Sequence, residues 1–412
     1  MSRPRVVYWS IIPAPYLVGW LNTLSARGNL DLEAWFNIPR EADRSWDVDA
    51  ADWRFSGRYI PERSLAGFQL RLPVPELQDV RPDLLVSPHY LSSSALGSQI
   101  ASALGFRTAF RAVPTYDTWF RRSWWKELAK RFLFRTVDGA MVPGPDGASV
   151  VRRYGVPDER IWHVPPSVDM DHYSRARDMA PAARAERREQ LGLRGCVFLY
   201  VGRLWSGKGI DYLLDAYRKV RQERPDVSLL VVGDGVDEAK YRAMARDLPG
   251  VTFAGFVQAP ELPEYYALAD ALVFPTLGDP FGLVVEEALA AGLPVISTEA
   301  AGDIRQRLPD GKAGYIVPPA DAEQLAERML KLATDEELRR RLAAETQRLV
   351  AGRGHEQSAI DFETFVERVL SLPRRRSVQA LAARVIGKAV LAAVRDGQAL
   401  APYASLENEQ RA

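Results

Sequence analysis

The sequence predicts an α/β protein made of two doubly wound, parallel-sheet domains facing each other across a cleft. Three observations predict it. Short apolar runs alternate with longer helical patterns along the 412 residues, which is the signature of right-handed βαβ units and parallel sheets. The runs fall into two series, and Asp178–Arg194, charged, alanine-rich and free of strand signals, separates them. Glycine-rich turns follow several of the runs, where a doubly wound sheet binds its ligand.

The first series of candidate strands is Val6–Trp9, Leu32–Phe36, Leu84–Ser87, Thr108–Arg111, Gly139–Val142 and Trp162–Val164. The second is Val197–Gly202, Ser228–Val232, Val251–Ala254, Ala271–Phe274, Pro294–Thr298 and Ala313–Val317. A junction near Pro165–Asp171 assigns residues 1–170 to a first Rossmann-like domain and 171–355 to a second. Arg40–Arg71, rich in Trp, Asp and Arg and poorly periodic, reads as either a short hairpin or a loop on the ligand side of the first domain. Pro373-Arg-Arg-Arg376 ends the globular pattern, and residues 373–412 form a basic, alanine-rich amphipathic tail. No repeat of 20–50 residues is present.

Composition narrows the class. Apolar content of 47% and charged content of 26% are ordinary for a soluble globular protein. A formal charge of +1 excludes a generally basic nucleic-acid binder, and no nucleic-acid partner is expected. Cys196 is the single cysteine, so no internal disulfide forms, and its place at the head of an apolar run makes it a buried small residue. The first residues lack the apolar core of a signal peptide, and no window reaches the ~20 apolar residues of a membrane span. The chain therefore reads as cytoplasmic.

His89, Arg111, Arg203, Gly233–Gly235 and Asp279 all follow candidate strands, and so are expected at the crevice. Arg203 and Lys208 lie on the turn Gly202-Arg-Leu-Trp-Ser-Gly-Lys-Gly209. Its glycines let backbone approach a ligand closely, and a helix start beyond Asp211 offers unpaired amides. Two cations and such amides can neutralise a diphosphate leaving group; a surface turn with two solvated cations is the plainer alternative. In Asp279-Pro-Phe-Gly-Leu-Val-Val-Glu-Glu287, Phe281-Gly282-Leu283 opens a helix whose amides and dipole would face the same phosphates. Asp279, held extended before Pro280, is poised for sugar hydroxyls or serves as a cap. Glu287 can accept paired bonds from vicinal hydroxyls, and Glu286 is expected on a solvated face.

Taken in order, Tyr200-Val-Gly-Arg-Leu, Lys208-Gly209, Val232-Gly-Asp-Gly235, Ala254-Gly-Phe-Val257 and Ala269-Asp-Ala-Leu-Val-Phe-Pro275 resemble glycosyltransferase family 4. So do Phe281-Gly-Leu with Glu287, and Gly314-Tyr-Ile-Val-Pro318. The resemblance covers roughly residues 150–370 and is weaker in the first half, where Ile12-Pro-Ala-Pro-Tyr16 matches in layout. It implies a retaining enzyme of the GT-B fold that uses nucleotide-diphosphate sugars, with residues 356–372 as a crossover helix returning toward the first domain. It further implies that Arg203 and Lys208 bind the donor diphosphate and Glu287 the ribose. Phe281, Gly282 and Leu283 would offer amides to phosphate or sugar, and Phe256 and Val257 would line the base pocket. Asp279 stands where the family has the first glutamate of its Glu-x7-Glu motif, one methylene shorter.

On the acceptor side the family often carries a histidine after a central strand. Here Arg111 stands at that strand end and His89 ends the preceding one, so both are candidates near the reacting centre, with Asp117 beside them. Arg111 is no base, because guanidinium keeps its proton. For retaining members the resemblance implies front-face attack, the departing phosphate taking the acceptor proton. The pairs Asp47/Asp49 and Asp169/Asp171 lie away from the cation cluster, so no metal or other cofactor is expected beyond the donor, a UDP- or GDP-sugar. Trp119–Arg135 carries six Lys/Arg against one Glu, interleaved with aromatic residues. With the basic tail from Arg374 to Val394 it suits contact with an anionic membrane; the first segment suits a carbohydrate or core packing as well, and the tail an oligomerisation helix or a loosely ordered end. The leading reading is a retaining, metal-independent transferase acting on a glycan or lipid-linked acceptor in bacterial surface polysaccharide synthesis. A nucleotide-sugar epimerase or phosphorylase and a degenerate nucleotide-sugar-binding scaffold are the alternatives.

Overall fold

The structure, a computed structural model, describes all residues except 1–2, 42–43, 47, 66–67, 89–92, 113–123, 377 and 396–412. The first half holds β1 (Arg5–Ser10), β2 (Asp31–Phe36), β3 (Ser56–Tyr59), β4 (Arg63–Leu65), β5 (Phe68–Leu70), β6 (Leu84–Ser87), β7 (Arg107–Arg111), β8 (Gly139–Val142) and β9 (Ile161–His163). The second holds β10 (Val197–Val201), β11 (Ser228–Val232), β12 (Val251–Gly255), β13 (Ala271–Phe274), β14 (Val295–Thr298) and β15 (Gly314–Val317). One sheet runs β3-β2-β1-β6-β7-β8-β9, the other β12-β11-β10-β13-β14-β15, and all their pairings are parallel. Both orders reverse once, so each domain is Rossmann-like, with switch points between β1 and β6 and between β10 and β13.

Burial explains why the central strands read as unbroken apolar runs. β6, β8, β10, β11, β13 and β14 are buried at every residue, since helices cover both faces of a parallel sheet. Arg40–Arg71 contains the antiparallel hairpin β4–β5 and, before it, the edge strand β3. The sequence Ser-Gly-Arg-Tyr of β3 has no apolar run, and only its outer position in the sheet tolerates that. Cys196 is buried, and desolvation pushes its thiol up to about 12, which leaves it inert.

The helix His355–Ser371 returns to the first domain. Its Phe362, Phe365, Val366 and Val369 join Val6, Tyr8, Trp20 and Phe36 in one core. Tyr8, Trp20 and Phe362 form a ring cluster with centroids 5.1–5.8 Å apart, and Arg27 grips Glu363 through two bonds of 2.8 and 2.9 Å. The tail helix Val378–Arg395 lies on Ser93–Leu104. At their crossing a Cβ on Gly387 would stand 2.6 Å from that of Ala103, so glycine sets the approach. Among the described residues, no helix is long and apolar enough to cross a membrane.

Candidate active site

The site gathers at the C-terminal ends of β10, β11 and β13. Leaving β10, Gly202 donates to Val232 O at 3.0 Å and Leu204 to Asp234 O at 2.7 Å, which packs this turn onto Gly233-Asp234-Gly235. Gly233 has φ 132°, and a Cβ there would meet Gly202 O at 2.0 Å, so no other residue fits. Ser206–Lys208 forms one 3-10 turn, and Gly209, at φ 70°, opens the helix Ile210–Glu223. The half-buried Arg203 guanidinium stands 5.6 Å from the Trp205 ring centre. Lys208 forms a short ion pair with Asp279, and both side chains are about 15% exposed.

Asp279 has two further tasks. Its Oδ1 accepts from Phe281 N at 2.9 Å, and its backbone bridges to Ala300 and Gly302 at 3.1 and 2.9 Å. It is thus a cap and a partner of Lys208 at once. Gly282, at φ 73°, caps the helix Leu283–Ala290, and a Cβ there would strike the Phe274 ring at 2.5 Å. The amides of Gly282 and Leu283 open this helix, where its dipole favours an anion. Phe281 is buried and Leu283 half-buried.

Glu287 lies one and a half turns into the same helix, 8% exposed. Tyr266 donates its hydroxyl hydrogen to Oε2 at 2.6 Å, and the Tyr173 hydroxyl interacts with the same carboxylate. Burial pushes the carboxyl up to about 7, against the pull of the two hydroxyls. Phe256, after β12, is half-buried, and Val257 packs into the core that holds Tyr173 and Tyr266.

In the first domain Arg111 ends β7, with Nη2 3.5 Å from the hydroxyl of Tyr16, which follows β1. His89 and Asp117 lie outside the described residues, as do Asp47 and residues 119–123. Asp49 and Asp169 cap the short helices at Ala50–Asp52 and Met170–Ser174. Polar contacts bridge the domains, among them the following. Ser45 Oγ donates to Asp234 Oδ2 at 2.5 Å, while Gln258 Nε2 reaches Ser45 O at 3.4 Å. Asp146 N donates to Asp303 Oδ1 and Asp303 N to Asp146 Oδ2, each at 2.8 Å.

Glu286 departs from the expectation of a solvated face. It is 3% exposed and is held by Arg307 and Arg353, because the helix Leu283–Ala290 is covered on both sides. Sequence reasoning passed over both arginines. Neither belongs to a motif, and Arg353 lies 67 residues from its partner.

Residues 195–335 match the family model described as glycosyl transferases group 1. Mannosylfructose-phosphate synthase of Agrobacterium fabrum is 30% identical over 51% of this chain and 48% of its own. A GDP-mannose-dependent alpha-(1-6)-phosphatidylinositol monomannoside mannosyltransferase is 35% identical in Mycolicibacterium smegmatis, over 43% of this chain and 48% of that protein. The Mycobacterium tuberculosis protein of that name is 29% identical over 70% of this chain and 80% of its own. That last case apart, the chain spans about half the length of these curated relatives. Among solved structures, sucrose-phosphate synthase from Thermosynechococcus elongatus superposes with a TM-score of 0.71 at 21% identity, over 90% of this chain and 100% of that one. HepE from Anabaena, solved with UDP, gives 0.71 at 19% identity over the same shares. At such identities the likeness establishes the fold, which is GT-B.

Proposed function

We infer that this chain, whose residues 195–335 belong to the group 1 glycosyl transferases within a GT-B fold, moves a sugar from a UDP- or GDP-linked donor to a glycan or lipid-linked acceptor. One observation carries the reading. Arg203 and Lys208 follow β10, and Asp279, the helix opening at Gly282 and Glu287 follow β13 beside it, with Lys208 paired to Asp279. Arg203 and Lys208 hold the diphosphate, the Gly282 and Leu283 amides complete its cradle, Glu287 takes the ribose and Asp279 a sugar hydroxyl. Phe256 and Val257 border the base.

The bond from the sugar's anomeric carbon to the diphosphate oxygen breaks as the acceptor oxygen bonds to the same face. The acceptor's proton passes to the departing phosphate oxygen, so configuration is retained. No protein nucleophile is required, and the two cations offset the charge that develops on the leaving group. We read the reaction as metal-independent, an expectation that activity surviving exhaustive EDTA treatment would meet. Arg111, with His89 and Asp117, is assigned to the acceptor side.

The reading extends to bacterial surface polysaccharide assembly at the inner face of a membrane. Trp124, Trp125 and Leu128 are exposed at 79%, 54% and 61%, and Val378, Leu381 and Val385 form an outward stripe on the tail helix. Arg131, Arg135, Arg376 and Lys388 flank these stripes, exposed, and suit anionic headgroups.

The test is a panel of UDP-, GDP- and ADP-sugars, scored by thermal stabilisation and by nucleoside diphosphate released on slow hydrolysis. One sugar that does both, with both effects lost in Arg203→Ala and Glu287→Ala, is the expected result. A protein that no donor stabilises would sink the reading. A second reading, a degenerate nucleotide-sugar-binding scaffold, draws on the Lys208–Asp279 pair, in which the two groups satisfy each other. Stabilisation without turnover of any donor in the presence of acceptor extracts would favour it.

A further inference from the structure

Arg307 stands outside every donor motif, yet its guanidinium grips the donor loop. It is 7% exposed and donates to the carbonyls of Phe281, Gly282 and Gly302, the latter two at 3.5 and 3.1 Å. It also stacks on the Phe281 ring at 3.9 Å. Nη1 pairs with Glu286 at 3.1 Å. Arg353 holds both oxygens of Glu286 at 3.2 Å and the carbonyl of Arg307 at 3.3 Å. Arg353 sits where the chain leaves the second domain for the crossover helix His355–Ser371. A continuous set of contacts therefore joins the crossover segment to the loop at Phe281, along one wall of a cavity of about 410 Å3.

Packing alone accounts poorly for this arrangement. A buried guanidinium is costly to desolvate, and Arg307 leaves its Nε without a hydrogen-bond partner. Besides Glu286, its bonds go to main-chain carbonyls, those of Phe281 and Gly282 in one loop and of Gly302 in the next. In a planar trans peptide the carbonyl and the following N–H point in opposite directions. Fixing the carbonyls of Phe281 and Gly282 on the Arg307 side thus fixes the amides of Gly282 and Leu283 on the other side, where the helix opens.

We propose that Arg307, Glu286 and Arg353 are positioning residues, which aim the Gly282 and Leu283 amides at the donor diphosphate and make that aim depend on the seating of the crossover segment. The proposal rests on the donor-site reading above. It requires that the triad acts on phosphate recognition and leaves nucleoside recognition alone.

The experiment measures binding of UDP, GDP and ADP, and of uridine, guanosine and adenosine, to Arg307→Lys, Glu286→Gln and Arg353→Lys, with melting temperatures and with Arg203→Ala as reference. In variants that fold, affinity for the preferred diphosphate is expected to fall about tenfold or more, equivalent to about 1.4 kcal/mol, while affinity for its nucleoside is unchanged. Arg353→Lys, furthest from the loop, should show the smallest loss. Folded variants with unchanged diphosphate affinity would overturn the proposal, and so would failure of all three to fold, since the triad would then serve the fold. If Arg203→Ala also left diphosphate binding intact, the donor-site reading itself would fail, and the two failures are distinguishable.

Discussion

Ser45, in the first domain, donates its hydroxyl hydrogen to Asp234 of the second across a 2.5 Å gap. Asp234 belongs to the glycine turn that supports the Arg203 loop, so a residue from the opposite domain rests against that loop. The Asp146–Asp303 exchange is a further polar bridge between the domains.

Ser45→Ala removes the hydroxyl bond to Asp234 and leaves the Gln258 contact to the Ser45 carbonyl and the Asp146–Asp303 exchange. A net hydrogen bond is worth about 1 kcal/mol, so stability should fall by about that amount and the population of open molecules should rise. Small-angle scattering of the donor-free protein should report a larger radius of gyration. Identical scattering curves for variant and wild type would mean that the contact does not govern closure.

Lys208 and Asp279 neutralise each other, so on the proposed reading a diphosphate competes for the lysine. Asp279→Asn should therefore bind free UDP or GDP about two- to fivefold more tightly, the gain of a weakened competing ion pair. It should at the same time transfer sugar more slowly, having lost a hydroxyl partner. Calorimetry of the nucleotide and turnover of the sugar separate the two effects. Weaker nucleotide binding in this variant would contradict the competition.

Glu287 gives a pH-dependent signature of defined sign. Its carboxyl ordinarily titrates near 4.5 and in the fold near 7. The native state therefore holds the proton more tightly than the unfolded chain, and wild-type stability is eroded as pH rises between those values. Glu287→Gln escapes that erosion. Its stability relative to wild type should be level below pH 4.5, climb between pH 4.5 and 7 by at most about 1.4 kcal/mol per pH unit, and level off above pH 7. A constant difference across this range would show that the carboxyl is not held protonated. Donor affinity should fall in the same variant, trading function against stability.

Trp124 and Trp125 predict behaviour on lipid. Flotation with anionic vesicles should carry the wild type upward and leave the double variant Trp124→Ala/Trp125→Ala largely behind, with neutral vesicles capturing neither. Equal flotation of both proteins would move the contact elsewhere.

The fold was legible because parallel sheets covered on both faces write their central strands as apolar runs, as in Val197–Val201 and Ser228–Val232. β3 was not, since an edge strand can be Ser-Gly-Arg-Tyr. The turns after β10 and β11 announced themselves through glycines that only close backbone approach explains, Gly233 against Gly202 being one. Glu286 misled because two adjacent carboxylates on a helix differ by about 100° in direction, which suggests one inward and one outward. Here Arg307 and Arg353 cover the outward one, and nothing local in the sequence ties them to it. The tyrosines that hold Glu287 are silent for the same reason, as Tyr173 and Tyr266 come from separate helices.

The crossover helix has a consequence for how the chain is made. The core around β1 and β2 lacks Phe362, Phe365, Val366 and Val369 until those residues emerge from the ribosome. The cores around β10 and β13 are drawn from residues 168–350. During synthesis the later half of the chain can reach its native packing while the earlier half still waits for its closing helix, an inversion of the usual N-terminal-first order.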